Sequence, residues 1–454
     1  MIGFLILATL ARINPMPSSL TRLLARGSTL LSGSGVALVA SFLQTVLMVR
    51  GLGPKDFGVW AGMQAFCAVV ASLCTFRTSE PVTRYLVGYR QDQDHEGMRL
   101  LLGTALVVDA TTQCLAILII VLVAPWLAPS LPGGEATAGL YPLFALALLR
   151  SLFDHTWFSV ARDLGQYARI ATLNAGFPGL RLAFVVALWL TDAMTLANLA
   201  LAIMMVGLIQ MGVTGFFLGR AITTGYSIGL TSLFHIDLLR RQGLLTPFWS
   251  FMKATFLWSL FTVLVREGDV LILGVLRPSE EVGWYRLARN LVSALQQVAD
   301  LLGQVIYQDF SEQVVARDGD KLRHTMRLLL RTWLPGVVIV AGIGLVLADP
   351  LIPTIFGDAY RPAVGLFSIL LVGGATVTML FWVRPLALAL ELHWYNFQVV
   401  MWGSLLFVLL DWRLILAWGT TGGALAFALI TASGPLVLLP PAWKRLGQIS
   451  VRNG

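Results

Sequence analysis

The chain has 454 residues, of which 57% are hydrophobic and 12% charged, whereas soluble globular chains carry roughly 25% charged residues. So little charge cannot coat a water-soluble protein of this length, so the sequence has to be read as membrane spans, not as globular cores. The net charge of +8 arises from 28 Arg and 4 Lys against 24 acidic residues, placed singly or in pairs; no basic tract suits a nucleic-acid partner.

The first ten residues are apolar but too short to cross a bilayer and lack a basic leader, so no signal peptide is expected; Met16 is an alternative start. Stretches close to the roughly 20 residues that cross hydrocarbon follow at 28–49, 57–76, 98–123, 138–158, 168–190 and 193–218. A second series falls at 247–276, 282–310, 326–347, 363–383, 394–410 and 420–439. The expected fold is an all-α polytopic membrane protein with about twelve transmembrane helices in two pseudo-symmetric six-helix bundles. These divide the chain into a tail 1–27, a bundle 28–219, a connector 220–244, a second bundle 245–441 and a tail 442–454.

Twenty-one Lys and Arg lie on one side of this alternation, Arg77, Arg84, Arg240, Arg241 and Arg323 among them, and five on the other, Arg50, Lys55, Arg277, Arg361 and Arg413. Cytoplasmic loops hold the excess of positive charge, so both termini are expected in the cytoplasm. The segments 77–99, 220–244 and 309–327 are then cytoplasmic and aqueous, and the opposite side carries only short turns, where Asp56, Glu135, Asp192, Glu280, Glu281, Asp349, Asp358 and Asp411 are expected.

The two series share sequence. Leu52-Gly53-Pro54 through Gly58-Val59-Trp60 returns as Leu276-Arg277-Pro278 through Val282-Gly283-Trp284-Tyr285, and Gly134-Glu135-Ala136 with Leu143-Phe144 returns as Gly357-Asp358-Ala359 with Leu366-Phe367. Both shifts approach half the chain length, as expected of a parallel duplication whose pseudo-twofold axis runs along the membrane normal. The prolines fix turns and the glycines open the next helices, a structural role.

An ionisable group at membrane depth costs at least about 2.5 kcal/mol and therefore faces a bundle interior or a water-filled cavity. Within the spans lie Asp109, Arg150, Asp154, Arg181, Lys253, Arg266, Glu267, Asp269, Arg286, Arg289 and Asp300. Arg150, Asp154 and Trp157 share a helix face, as do Asp109 and Gln113, while Arg266 and Asp269 are three apart. The eighth span carries a polar stripe of Arg286, Arg289, Asn290, Ser293, Gln296, Gln297 and Asp300, and such a stripe lines water or a partner, not lipid. For Arg150, Arg181, Arg266, Arg286 and Arg289 two readings stand: a cavity that binds an anion through planar guanidinium forks, or intramembrane ion pairs such as Arg150–Asp154 and Arg266–Asp269. Arg181 has no acidic residue within a helical turn. Asp109, Asp154, Asp269 and Asp300 are candidates for ion coupling, or for hydrogen bonds between helices.

Cys67, Cys74 and Cys114 fall in apolar runs without metal or disulfide spacing and read as small buried hydrophobes. His155 and His393 read as interfacial, and Trp126, Trp189, Trp412 and Trp443 as an aromatic belt. The chain carries no phosphate-cradling loop, nucleophile elbow, HExxH or Cys/His cluster, so no cofactor or metal is expected, and neither is ATP hydrolysis.

Arg50-Gly51-Leu52-Gly53-Pro54-Lys55-Asp56-Phe57-Gly58-Val59-Trp60, continued by Phe76-Arg77-Thr78-Ser79-Glu80-Pro81 and matched by Val282-Gly283-Trp284-Tyr285-Arg286 and Phe356-Gly357-Asp358-Ala359-Tyr360, resembles the polysaccharide transporter family. These are the Wzx-type O-antigen and exopolysaccharide flippases of the MATE-like superfamily. The resemblance covers 28–439 and rests on turns and packing positions, so it carries no binding residue across. It implies a bacterial inner-membrane protein that is not an enzyme. The implied cargo is an undecaprenyl-pyrophosphate-linked oligosaccharide, moved from the cytoplasmic to the periplasmic leaflet by alternating access. Membrane lipids, a polysaccharide polymerase and glycosyltransferases of the same pathway are the implied partners. The alternatives are a MATE-like cation-coupled exporter, which intramembrane arginines disfavour, and a membrane-embedded polyprenyl-dependent glycosyltransferase or polymerase, which would want a sizeable external loop.

Overall fold

The computed structural model describes residues 18–234, 246–316 and 318–451, and among them there are helices and short connections but no strand. Helix α1 (Ser18–Cys74) is two limbs bent at Gly53, whose φ of 72° glycine adopts without steric cost. It is followed by α2 (Ser79–Gln91), α3 (His95–Leu127), α4 (Tyr141–Ala147), α5 (Asp154–Asp163), α6 (Tyr167–Leu190) and α7 (Leu196–Gly225). The second half comprises α8 (Thr246–Leu276), α9 (Ser279–Val315), α10 (Gly319–Phe356), α11 (Ala363–Met379), α12 (Val383–Ala389) and α13 (His393–Val451). Helix α13 is again two limbs, bent at Gly419 with φ 61°.

Eight stretches are long and apolar enough to cross a membrane. Two of them, 33–91 and 393–446, each contain a bent pair of limbs, and α8 and α9 are two further long helices that pack beside α1, α11 and α13. The described chain is therefore a polytopic helical bundle of twelve long segments, the architecture expected. The halves repeat in element order: His95 and Gly319, Tyr141 and Ala363, Tyr167 and His393 open corresponding helices, 222 to 226 positions apart. The duplicated glycine motif has a shared cause as well. Gly134 (φ 61°) opens the tight helical turn Gly134–Leu140, and Gly357 (φ 103°) directly precedes the turn Asp358–Tyr360.

Several details differ from expectation. The segment 77–99 is largely helical: α2 packs against α3, α5 and α8, with Val82 and Leu86 fully buried. The expected span 138–158 is broken at Leu148–Ser151, where Ser151 Oγ donates to the carbonyl of Leu148 at 2.8 Å and offers the backbone an alternative to the helical ladder. Helix already begins at Ser18 and runs to Val451, so both expected tails are partly helical. The end of the connector, 235–244, with Arg240 and Arg241, lies outside the described residues. Asp411, expected in an outer turn, is fully buried inside α13.

Two contact regions join the halves. Beside the Gly53 bend, a Cβ on Gly58 would overlap the carbonyl of Ser279, and one on Gly283 the carbonyl of Pro54. The repeated glycines thus let α1 and α9 cross backbone to backbone, which stands in for the hydrophobic drive that helices lack in lipid. On this side Arg50 also donates to the carbonyls of Thr354 and Ile355, both at 2.6 Å, and Tyr360 to that of Val49 at 3.3 Å. At the other end, Phe76 meets Phe256 with centroids 4.7 Å apart, and Arg84 lies 5.6 Å from the ring of Phe251. Trp126, Trp189, Trp412 and Trp443 are exposed, as a belt requires. Cys67 is buried, whereas Cys114 is exposed on α3, among apolar residues that face outward.

Candidate functional site

Between α1, α4, α6, α7 and α9 lies a cavity of about 370 Å³, within the roughly 300–1,000 Å³ typical of ligand sites. Its wall holds three arginines: Arg150, Arg181 and Arg286. Arg150 sits on the tight turn Leu148–Ser151 that breaks the fourth span. Irregular backbone at membrane depth is tolerated where it is enclosed by protein or lines a water-filled cavity, and here it brings a guanidinium to that wall. Arg181 stands on α6, one turn beyond Pro178, and close enough to Arg150 for the two charges to repel. Neither makes an ion pair or hydrogen bond among the described residues. Arg286 comes from the other half, on α9, donates to Glu267 Oε2 at 2.8 Å and approaches Gln64 Oε1 at 3.5 Å.

The rest of the lining combines amides with aromatic rings. Gln44, Gln64, Gln210, Asn290 and Gln297 supply donors and acceptors, and Phe57, Trp60 and Phe144 supply flat apolar faces. Gln44, Gln64 and Gln210 do not stand out in a search of the spans for ionisable residues; the signal that finds them is a side-chain amide inside an apolar run.

The remaining candidates lie elsewhere. Arg289 is buried and committed: its Nε donates to Asp269 Oδ2 at 3.1 Å, its Nη2 to the carbonyl of Val265 at 3.2 Å, and its guanidinium stacks 3.5 Å from the centroid of Phe427. Asp269 also accepts from Tyr285 Oη at 2.6 Å and from the Val270 amide at 2.8 Å. Arg266 is exposed and outside the cavity wall, so the expected Arg266–Asp269 pair does not form; the carboxylate points to α9 instead. Asp154 takes a hydrogen bond from Gln210 at 2.8 Å and no ion pair with Arg150. Buried Asp109 accepts from Thr78 at 2.7 Å and Thr156 at 2.9 Å, which ties α3 to the start of α2 and to α5. Asp300 is exposed, near Arg384 and Arg266. Asp411 lies within electrostatic reach of Asp269, and neither of its carboxylate oxygens has a hydrogen-bond partner. Among the described residues no group of three or more acidic, His or Cys side chains forms a metal site.

Two duplicated helical halves enclosing a polar cavity define the class of architecture: a polytopic helical membrane protein built from repeated halves. The comparisons narrow this. The family model described as polysaccharide biosynthesis protein matches residues 47–365, and the chain belongs to that family. It is 23% identical over 356 residues to Inner membrane protein YghQ of Escherichia coli (strain K12), covering 75% of this chain and 95% of the relative. Among solved structures, the lipid II flippase MurJ in an inward closed conformation superposes with a TM-score of 0.72 at 12% identity, over 94% of this chain and 90% of that one. An inward-facing multidrug resistance MATE family transporter of the MOP superfamily superposes with a TM-score of 0.68 at 13% identity, over 94% and 100%. The chain thus shares the fold of these two solved structures.

Proposed function

We propose that the protein is an inner-membrane flippase that carries a polyprenyl-diphosphate-linked oligosaccharide from the cytoplasmic to the outer leaflet by alternating access. One observation carries this reading: Arg150 and Arg181, two neighbouring guanidinium groups, line the cavity with no ion pair or hydrogen bond among the described residues, although Asp154 lies within electrostatic reach of Arg150. Two such charges stay in a protein interior when an incoming anion completes them, and the diphosphate fork matches the guanidinium fork. The amides and Trp60 beside them suit the hydroxyls and apolar faces of a sugar. The same charges repel a cationic drug, which separates this reading from that of an exporter on the same fold.

The basic side of the chain faces the cytoplasm in this scheme, which places Arg50 and its contacts to α10 at the outer side. An inside-negative potential favours outward passage of the anion by about 2.3 kcal/mol per charge per 100 mV, so the potential alone can drive a step. Of the four aspartates considered for ion coupling, Asp269 is already held by Arg289, Tyr285 and the Val270 amide. Asp411 beside it, with no partner of its own, is completed by a proton or a small cation. Glycosyltransferases and a polymerase that act before and after translocation are the partners this cargo requires.

The test is reconstitution in liposomes with a fluorescent polyprenyl-diphosphate oligosaccharide, whose transfer between leaflets is followed beside Arg150→Ala and Arg181→Ala. Transfer by the wild type and its loss in the folded variants are expected. A wild type that leaves the lipid in place and exchanges protons or sodium for a cationic dye would falsify the reading.

A further inference from the structure

We propose that Glu267 is a resident competitor for the anion at Arg286, so that loading the cavity exchanges one partner of Arg286 for another and carries the occupancy of the site to α8. The inference rests on the anion reading above and adds to it a residue that does not line the cavity.

Arg286 is the cavity arginine given by the C-terminal half; Arg150 and Arg181 come from the N-terminal half. An anion held by all three therefore spans the two halves. Arg286 is not free to receive it, because Nη1 is bound to Glu267 Oε2 at 2.8 Å. That pair is open to exchange. The side chains of Arg286 and Glu267 retain 11% and 19% exposure, and the remaining contact of the guanidinium is the 3.5 Å approach to Gln64.

The next pair along the same two helices is the internal control. Arg289 and Asp269 have the same chemistry, but Asp269 has no exposure, and the pair is fastened by Tyr285, the Val270 amide, the Val265 carbonyl and Phe427. The chain thus builds one sealed pair and, one helical turn away, one that borders the site. A diphosphate that takes Arg286 leaves Glu267 as a partly buried carboxylate without its cation, a costly state that movement of α8 toward water relieves. A neutral sugar cannot displace Glu267, so the pair also screens for charge.

The test uses the purified full chain in nanodiscs, with farnesyl diphosphate as the anionic probe and farnesol as its neutral counterpart. Glu267→Gln is expected to bind farnesyl diphosphate three- to tenfold more tightly than wild type and farnesol equally, and Glu267→Asp, with its shorter reach to Arg286, about twofold more tightly. The exchange Glu267→Arg with Arg286→Glu restores a salt bridge of reversed polarity; it is expected to melt near the wild type while binding farnesyl diphosphate at least tenfold more weakly. If Glu267→Gln and Glu267→Asp bind the diphosphate no more tightly than wild type, Glu267 merely positions Arg286 and the proposal is overturned; wild-type binding by the exchange overturns it too, since the anion would then not need Arg286. A wild type that does not distinguish farnesyl diphosphate from farnesol overturns the anion reading itself, and the proposal with it.

Discussion

In the N-terminal half, Arg150 and Arg181 line the cavity with no ion pair or hydrogen bond among the described residues, and Asp109 is satisfied by two threonine hydroxyls. In the C-terminal half, Arg286 and Arg289 each hold a carboxylate from α8. The same duplicated scaffold therefore carries its membrane-depth charge in two ways. Charges that neutralise each other within the protein fix helices in place, whereas charges left open ask for a ligand. Under the proposed function the N-terminal half would supply most of the binding, and the C-terminal half structure together with the Arg286–Glu267 pair proposed to exchange.

The sharpest break in this comparison comes from Arg289. Replacing it with Ala strands Asp269, and loss of one partner of a buried pair costs about 3–5 kcal/mol; a large fall in melting temperature in detergent is the expected result. Replacing both partners together, Arg289→Met with Asp269→Leu, should recover most of that loss, and a double variant as unstable as the single would show that the pair does more than neutralise itself. The N-terminal arginines should behave in the opposite way. Arg150→Ala and Arg181→Ala are expected to lower transport by roughly ten- to a hundredfold, each removing charge-assisted hydrogen bonds worth about 1.5–3 kcal/mol, while the melting temperature stays level or rises because like charges are separated. Unfolding of either variant would move these residues to the structural class.

Smaller effects refine the contrast. Asp109→Ala leaves Thr78 and Thr156 without their shared acceptor and should cost about 1–3 kcal/mol with normal transport in whatever protein folds, as judged by calorimetry and leaflet transfer side by side. Smallest in stability is Asp411→Asn. Because neither oxygen of Asp411 has a partner, loss of its charge should leave the melting temperature unchanged or slightly raised. Any dependence of transport on a proton or sodium gradient should disappear in the same variant, and a gradient dependence that survives would place ion coupling elsewhere.

Much of this was legible in the sequence, and the limits have a physical pattern. Span number, the duplication and the charged positions are local properties, set by runs of apolar residues and by repeated Gly and Pro, so they survive without any knowledge of packing. The pairing of charges does not. Arg150 with Asp154 and Arg266 with Asp269 have good helical spacing, yet Asp154 turns to Gln210 and Asp269 to Arg289, because neighbouring helices offered closer or better buried partners. The break at Leu148–Ser151 and the burial of Asp411 were hidden for the same reason: each depends on what lies across the bundle. The sequence by itself determined that this chain lives in lipid, is built twice over and carries more arginine at membrane depth than lipid tolerates. Only the tertiary structure decided which of those arginines are spent on neighbours and which face the cavity, since a charge in a low-dielectric interior is governed by the few ångströms around it, and those are filled by residues far away in the chain.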